Sequence, residues 1–452
     1  MNTLDHVYAH IEAHREDALA RLFDYLRRPS ISAHGEGIAE VAEYIAGVLG
    51  GLGLSAEICP TEGWPMVFAA SEQIPSRPTV LLYGHYDVQP PDPIDAWVSP
   101  PFEPTLRNGR IYARGVGDNK GQHFAQLLAI EALLAFQDEL PCNVKVLLEG
   151  EEEVGSPHLA PFVSENKARL AADLVITSDG PVHESGRACI MFGVRGVAGF
   201  ELRAHGARSD LHSGNWGGVA PQPVWQLVHL LSTMRSPEGR ITIEGFYDDI
   251  EPIGPLEREA LRRIDVSHAT MKESLGVERL DTPADRGVAE RLCEWPTLTI
   301  NGFHAGYGGP GMKTVLPCVA SVKCDMRLVE RQTVERVLER VEAHVRRHAP
   351  NVEFIRYGGM DPSRTPMESP YTEPLRAGVH HAQREEPLLI PALGGSLPDY
   401  VFTKILGVPA FTVPYANPDE ANHAPNENLE IERFFAGIRT GAAMLWHLGQ
   451  TG

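Results

Sequence analysis

The stretch NVKVLLEGEEEVGS, residues 143–156, is an apolar, β-rich run that ends in three consecutive glutamates and turns at Gly155. A continuous apolar run of this length reads as a buried strand. Three acids at its end need a reason, because such a run is by itself most often a solvated turn. Alternation along the strand does not choose among Glu151, Glu152 and Glu153. The neighbouring segments have to.

Similar runs surround it. Strands are predicted at MVFAAS (66–71), TVLLYG (79–84), VKVLLEG (144–150) and DLVITS (173–178), with amphipathic helices over 3–27 and 37–50. HFAQLLAIEALLAF, after Asn119, reads as a helix between two of these strands. The alternation predicts an α/β fold with a central, mostly parallel sheet and helices on both faces. Past about residue 190 the texture changes. IMFGVRGVAGFELRAH is a Gly-punctuated β pattern, 221–235 reads as helix, 236–295 as charged and irregular, and SVKCDMRLV then TVERVLERVEAHVRRH as strand and helix. The late segment ALGGSLPDYVFTKILGVPAFTVPY returns to a strand and helix pair of the first kind. The simplest organisation is a discontinuous domain, 1–190 and 362–452, into which a smaller α+β unit, 191–361, is inserted.

Composition narrows the function. The 452 residues include 40 basic and 60 acidic ones, a formal charge of -20, which argues against nucleic acid or an anionic membrane as partner. The first residues, MNTLDHVYAHIEAHREDALARL, mix charges with apolar residues and hold no apolar leader or membrane-length run. Cys59, Cys142, Cys189, Cys293, Cys318 and Cys324 form no C-x-x-C pair. They read as free thiols of a reducing compartment, and the protein as cytoplasmic.

Open α/β sheets build their sites outside the carboxyl ends of the strands. TVLLYG is followed by His85 and Asp87, VKVLLEG by the three glutamates, DLVITS by Asp179, GRIYARG by Asp118, and the late FTVPY by a loop holding His423. Taken singly each is ordinary: Asp118 could cap a helix, and most histidines sit at the surface. Five strand ends of one presumed sheet delivering imidazoles and carboxylates together are not ordinary. Two imidazoles with several carboxylates suit zinc, or manganese or cobalt. Two divalent ions would be balanced by three carboxylate ligands and one hydroxide, which leaves a further glutamate free to act as general base. Competing motifs fail: GVGDNKG (115–121) has Lys120 where a dinucleotide loop needs its third Gly, and Met312 spoils GGPGMKT (308–314) as a phosphate loop.

Together these segments resemble the co-catalytic zinc peptidases that include aminoacylases, acetylornithine deacetylases, succinyl-diaminopimelate desuccinylases and carnosinase-type dipeptidases. The resemblance rests on YGHYDVQP (83–90), IYARGVGDNKG (111–121), LLEGEEEVGS (147–156), SDG (178–180), DLHSGNWGG (210–218), PGMKTVLP (310–317), MRLV (326–329), GGS (394–396) and NHAPNE (422–427), in order along the chain. GHYDVQP and GEEEVGS lean toward the dipeptidase branch. The resemblance implies that His85, Asp118 and Asp179 hold one metal ion and Asp118, Glu153 and His423 the other, with Asp118 bridging and Glu152 as general base. It implies that Asp87 orients His85, that the Asp118 to Asn119 peptide is cis, and that Asn119 stands where the family typically has a second Asp. Glu151 is left over, facing solvent or a partner behind the ligands. His212 resembles the histidine that dimeric members lend to a partner's site to stabilise the oxyanion; Arg327 with Gly394, Gly395 and Ser396 resembles the elements that hold a substrate's free carboxylate. The expected protein is a homodimer, joined through the inserted domain, that hydrolyses amide bonds in small peptides. Deacylation of N-acyl amino acids is the alternative, and non-catalytic metal-dependent binding a distant one.

Overall fold

The computed structural model describes residues 3–281 and 286–451, so residues 282–285 of the acidic stretch lie outside the described residues. The chain divides into two compact units: one runs through Gly193 and takes in Arg364–Pro391 and the chain from Val401 on; the other comprises Val194–Ser363 and Ala392–Tyr400. The Gly394–Ser396 loop thus groups with the second unit.

The main sheet of the first unit has eight strands, in the order Ser55–Cys59, Met66–Ala70, Asn143–Glu149, Thr79–His85, Leu174–Thr177, Ala410–Thr412, Cys189–Met191 and Leu388–Ile390. Apolar runs make the central strands buried throughout: every residue of Asn143–Glu149 is covered, even Lys145, whose ammonium donates to the carbonyls of Arg169 and Ala171 at 2.7 and 2.6 Å. Thr79–His85 pairs in parallel with both Asn143–Glu149 and Leu174–Thr177, with His85 opposite Glu149 and Tyr83 opposite Thr177. That register brings three carboxyl ends to one edge. The helix Lys120–Leu134, buried over almost its whole length, packs against Ile431–Leu448.

Three expectations from the sequence change. The strand before Asp118, Arg110–Tyr112, is not in the main sheet; it pairs with Thr105–Arg107 and Asn428–Glu430 in a separate three-stranded sheet. The reason is local: Asn108 and Gly109, both left-handed (φ 48° and 76°), close a two-residue hairpin that turns the chain back on its neighbour. The helix foreseen over 3–27 is two, Thr3–Ala13 and Arg15–Leu26. The region 236–295 is not irregular throughout: its described residues hold three short helices, Pro255–Ile264, His268–Leu275 and Val288–Glu294, the second capped by Ser267 Oγ accepting from the Thr270 amide at 3.1 Å. Of the two surroundings left open for Glu151, solvent or a partner, the structure has the second: it is 5% exposed and its Oε2 lies 2.6 Å from His158 Nδ1.

The second unit is a four-stranded antiparallel sheet, in the order Thr299–Ala305, Val319–Leu328, Gly196–His205 and Glu353–Met360, covered by the helices Pro223–Met234 and Val334–His348. Period-two burial does the work here: Ala320, Val322, Cys324, Met326 and Leu328 alternate into a core with Phe200, Leu202, Leu227, Leu230, Val337 and Val341. Thr299–Ala305, at the sheet edge, is almost wholly exposed.

Candidate metal centre

His85 ends its strand with its ring wholly buried. Its Nδ1 lies 3.1 Å from the Asp87 carbonyl and 3.3 Å from the Asp87 carboxylate, both acceptors, so Nδ1 carries a hydrogen and Nε2 is the nitrogen that could ligate a cation. Nε2 faces Asp118 Oδ1 at 3.1 Å and Asp179 Oδ2 at 3.6 Å. On the other side of Asp118, its Oδ2 lies 3.0 Å from His423 Nε2, which in turn is 3.2 Å from Glu153 Oε2. The two trios, His85, Asp118 and Asp179, and Asp118, Glu153 and His423, therefore share one carboxylate, and within each trio the ligand-type atoms lie within 4.8 Å of one another.

The scaffold fixes each member. Asp87 accepts the Glu152 and Glu153 amides at 3.2 and 3.1 Å, which pins the glutamate turn beneath His85. Gln89 holds Glu153 through its own amide to Oε1 at 3.1 Å and its side chain to Oε2 at 2.9 Å. Asp118 stands just before the helix Lys120–Leu134, and its peptide to Asn119 is cis. Glu427 gathers the loop before it, accepting from Gly115 N, Gly117 N, Asp118 N and the Arg114 guanidinium at 2.7 to 3.0 Å. Asn119 ties two strand ends together: its Oδ1 accepts from the His85 amide at 3.3 Å while its Nδ2 donates to the Ser178 carbonyl. The same Oδ1 lies 3.2 Å from His123 Nδ1, and Tyr25 Oη meets His123 Nε2 at 3.0 Å, so a buried chain of bonds backs the site. His423 itself adopts a left-handed backbone (φ 55°), as do Ala421 and Asn426, and Asn426 anchors that loop to Val98 N and Ala96 O at 2.9 Å each. Non-glycine residues held so cost of order 1–3 kcal/mol each and concentrate at functional sites.

The electrostatics are those of a site that wants cations. Burial pushes the Asp118 carboxyl up, but the hydrogen bonds from His423 and His85 more than offset it and hold it well below the usual carboxylate range. Burial would lower His85, yet its bonds to Asp118, Asp179 and Asp87 raise it well above the ordinary imidazole value. His423 is pushed up to about 10 by Asp118 and Glu153. Glu152 has its carboxyl deep in the cluster; burial raises its pKa, and the negative charges of Asp179, Asp118 and Glu153 add to the rise against the opposing pull of His85. Five carboxyl groups, Asp87, Asp118, Glu152, Glu153 and Asp179, thus meet two imidazoles, and even with both imidazoles protonated and Glu152 neutral two negative charges stay unbalanced. A pair of divalent cations fits this donor set of carboxylate oxygen and imidazole nitrogen.

His85, Asp87, Asp118, Glu152, Glu153, Asp179 and His423 come together at this edge. The other residues singled out in the sequence lie in the second unit. His212 is exposed, with Nδ1 accepting from Gly214 N at 3.0 Å and Nε2 3.4 Å from Thr314 Oγ1. Arg327 donates to Ser396 Oγ at 2.8 Å, and Gly395 adjoins that serine. Gln89, Asn119's amide clamp and the Glu427 anchor carry no signal in the sequence by themselves; Glu427 closes the NHAPNE motif and could have been sought there.

Residues 81–447 match the model of Peptidase family M20/M25/M40. An M20 family metallo-carboxypeptidase of Sulfolobus solfataricus, known as a crystal structure, is 37% identical, superposes with a TM-score of 0.89 and covers 96% of this chain and 99% of its own. A Cys-Gly metallodipeptidase of Schizosaccharomyces pombe is 29% identical over 97% of this chain and 96% of its own. Human carnosine dipeptidase 1 is 26% identical with a TM-score of 0.81, over 99% of this chain and 100% of the other.

Proposed function

The chain belongs to Peptidase family M20/M25/M40 and is a metal-dependent hydrolase of peptide bonds, and on that premise we propose that it cleaves dipeptides with a free carboxyl terminus, of the cysteinylglycine and β-alanyl-histidine kind that its relatives are named for. The observation that carries this reading is the pair of ligand trios sharing Asp118, with Glu152 beside them. His85, Asp118 and Asp179 would hold one ion, and Asp118, Glu153 and His423 the second. Two bound divalent ions, zinc with manganese or cobalt as alternatives, supply a polarised carbonyl and a water of lowered pKa.

The chain's own residues do the rest. Asp87 keeps His85 in the tautomer whose Nε2 can ligate. Glu152, its carboxyl raised by burial, takes a proton from the attacking water and returns it to the leaving amine nitrogen. His212 donates to the oxyanion of a neighbouring copy's substrate, and Arg327 with Gly395 and Ser396 holds the substrate carboxylate. The dimer this requires is formed through the second unit, whose edge strand Thr299–Ala305 presents Ile300 and Phe303 half exposed, and whose helix Pro223–Met234 presents Trp225 at 55%. None of the six cysteines is in a disulfide, in keeping with a cytoplasmic enzyme.

Metal-stripped protein reconstituted with zinc, manganese or cobalt and assayed on dipeptides, their C-terminal amides and N-acyl amino acids tests the reading. Dipeptides with a free carboxylate should be cleaved fastest. Faster release from N-acyl amino acids would replace the dipeptidase reading by deacylation.

A further inference from the structure

The stretch 236–295 has no part in the chemistry above, yet its end touches the loop that the proposed recognition uses. Arg195, 7% exposed, donates through Nε to the Gly394 carbonyl at 2.9 Å and through Nη1 to the Trp295 carbonyl at 3.0 Å. Its own amide donates to the Leu393 carbonyl at 3.1 Å, and Val194 bridges Leu393 in parallel. One side chain thus ties the start of the strand Gly196–His205, the Gly394–Ser396 loop and the end of the helix Val288–Glu294 to a single point. Its two carbonyl partners come from separate segments and are met by a rigid planar fork; the single ammonium of a lysine cannot reproduce that.

The segment that anchors Arg195 is itself held. The Trp295 ring is stacked by Arg286 at 3.9 Å, with Arg291 at 5.5 Å and Tyr247 at 5.7 Å, and Arg240 lies over Tyr247 at 4.4 Å. The fit against the loop is close, since a methyl built on Gly394 would come within 3.1 Å of the Leu292 carbonyl. Across the loop, Ser396 Oγ accepts from Arg327, whose backbone is fixed in turn by a pair of bonds with Thr297 at 3.1 and 3.2 Å. Arg327 stays one-third exposed, with most of its five donor hydrogens left for a ligand. Burial and the neighbouring guanidiniums of Arg327 and Arg291 pull the Arg195 pKa down to about 10 against the opposing Asp325, whose carboxylate lies 3.7 Å from Arg327 Nε, so three guanidiniums and one carboxylate gather near the loop.

We infer that Arg195, fastened by the Leu292–Trp295 segment, is a positioning residue for substrate recognition: it sets the Gly394–Ser396 loop so that Ser396 and Arg327 together meet the substrate's terminal carboxylate. This rests on the recognition role proposed for Arg327 and Ser396. It also gives the acidic stretch a task, that of carrying Trp295 to the loop.

The test measures kcat and KM for cysteinylglycine and for cysteinylglycine amide on the metal-loaded full chain, with thermal midpoint and bound metal recorded for each variant. Arg195→Lys should raise KM for the free acid about tenfold, the loss of one misplaced charge-assisted contact, and leave kcat, bound metal and KM for the amide unchanged. Gly394→Ala, which crowds the loop from the Leu292 side, should give the same split and stands in if Arg195→Lys does not fold. Arg327→Met separates the two layers of the argument. If it leaves the preference for the free acid intact, the recognition reading itself fails; if it abolishes that preference while Arg195→Lys and Gly394→Ala weaken both substrates equally or neither, only the role of Arg195 is overturned.

Discussion

Acidic residues crowd two regions of this molecule, and they behave in opposite ways. At the sheet edge of the first unit, Asp87, Asp118, Glu153 and Asp179 are buried and their close partners are imidazoles. In the second unit, Glu259 of the helix Pro255–Ile264 is half exposed and pairs with Arg262 and Arg263 one turn away, and Glu251, outside any helix, pairs with the exposed Arg331. The second arrangement is complete as it stands, since water and guanidinium balance each carboxylate. The first is not, because burial withholds water and two imidazoles cannot neutralise five acids. Density of acid says little; what surrounds each carboxylate says what it is for.

Substitutions can break this contrast or sharpen it. Asp118→Ala removes the one carboxylate both trios share and should release both ions, which elemental analysis of the purified protein would register as zero equivalents, with hydrolysis at background. One retained equivalent would mean that Asp118 does not bridge. Glu152→Gln should lower kcat by about 10²–10⁴-fold, the usual contribution of a positioned base, while bound metal stays the same. Glu153→Ala should instead lose metal, and equal metal loss in both variants would dissolve the division of labour between adjacent glutamates.

Glu151→Gln tests a different consequence of burial. Its carboxylate sits against His158 rather than the trios, so metal content should hold and activity change by no more than a few-fold. Disturbing the hydrogen bond of this buried side chain should nevertheless cost about 1–3 kcal/mol of stability, read as a shift in denaturant midpoint. In the second unit, Glu259→Gln should change stability by no more than about 0.5 kcal/mol, because an exposed ion pair contributes little. The smallest effect concerns pH. His344 hydrogen-bonds Thr233 Oγ1 at 2.8 Å, and burial, with His348 and Arg347 beside it, holds its pKa down at about 4 from an ordinary 6.5. The unfolded chain binds this proton near 6.5 and the folded chain only near 4, so stability falls as pH drops through that window. His344→Gln should flatten the pH dependence of thermal unfolding between those limits; an unchanged slope would remove His344 as its source.

Much of the first unit was legible in sequence because its strands are continuous apolar runs whose ends carry chemically distinctive residues. TVLLYG followed by His85, and VKVLLEG followed by the glutamates, announce both a strand and a site. The strand before Asp118 was misplaced because its apolar content, two residues in Arg110–Tyr112, does not say which sheet it joins; the left-handed Asn108 and Gly109 decide that. Gln89, Asn119 and Glu427 act through amides and carbonyls far away in sequence, and no local pattern reports such partners. The three helices within 236–295 were hidden by their brevity and charge, since each buries no more than three residues.

The order of strands in the main sheet sets a schedule for the molecule's birth. Ala410–Thr412 lies between Leu174–Thr177 and Cys189–Met191, pairing with both, so a strand from the chain's last tenth fills a slot bordered by strands made long before. At a ribosome's pace of about 5–20 residues per second, that slot stays open for roughly ten to fifty seconds while the second unit is made. His423 arrives later still, and with it the last member of the second trio. A nascent chain therefore carries a bare sheet edge along Leu174–Thr177, and lacks the complete pair of trios, until its synthesis is nearly over.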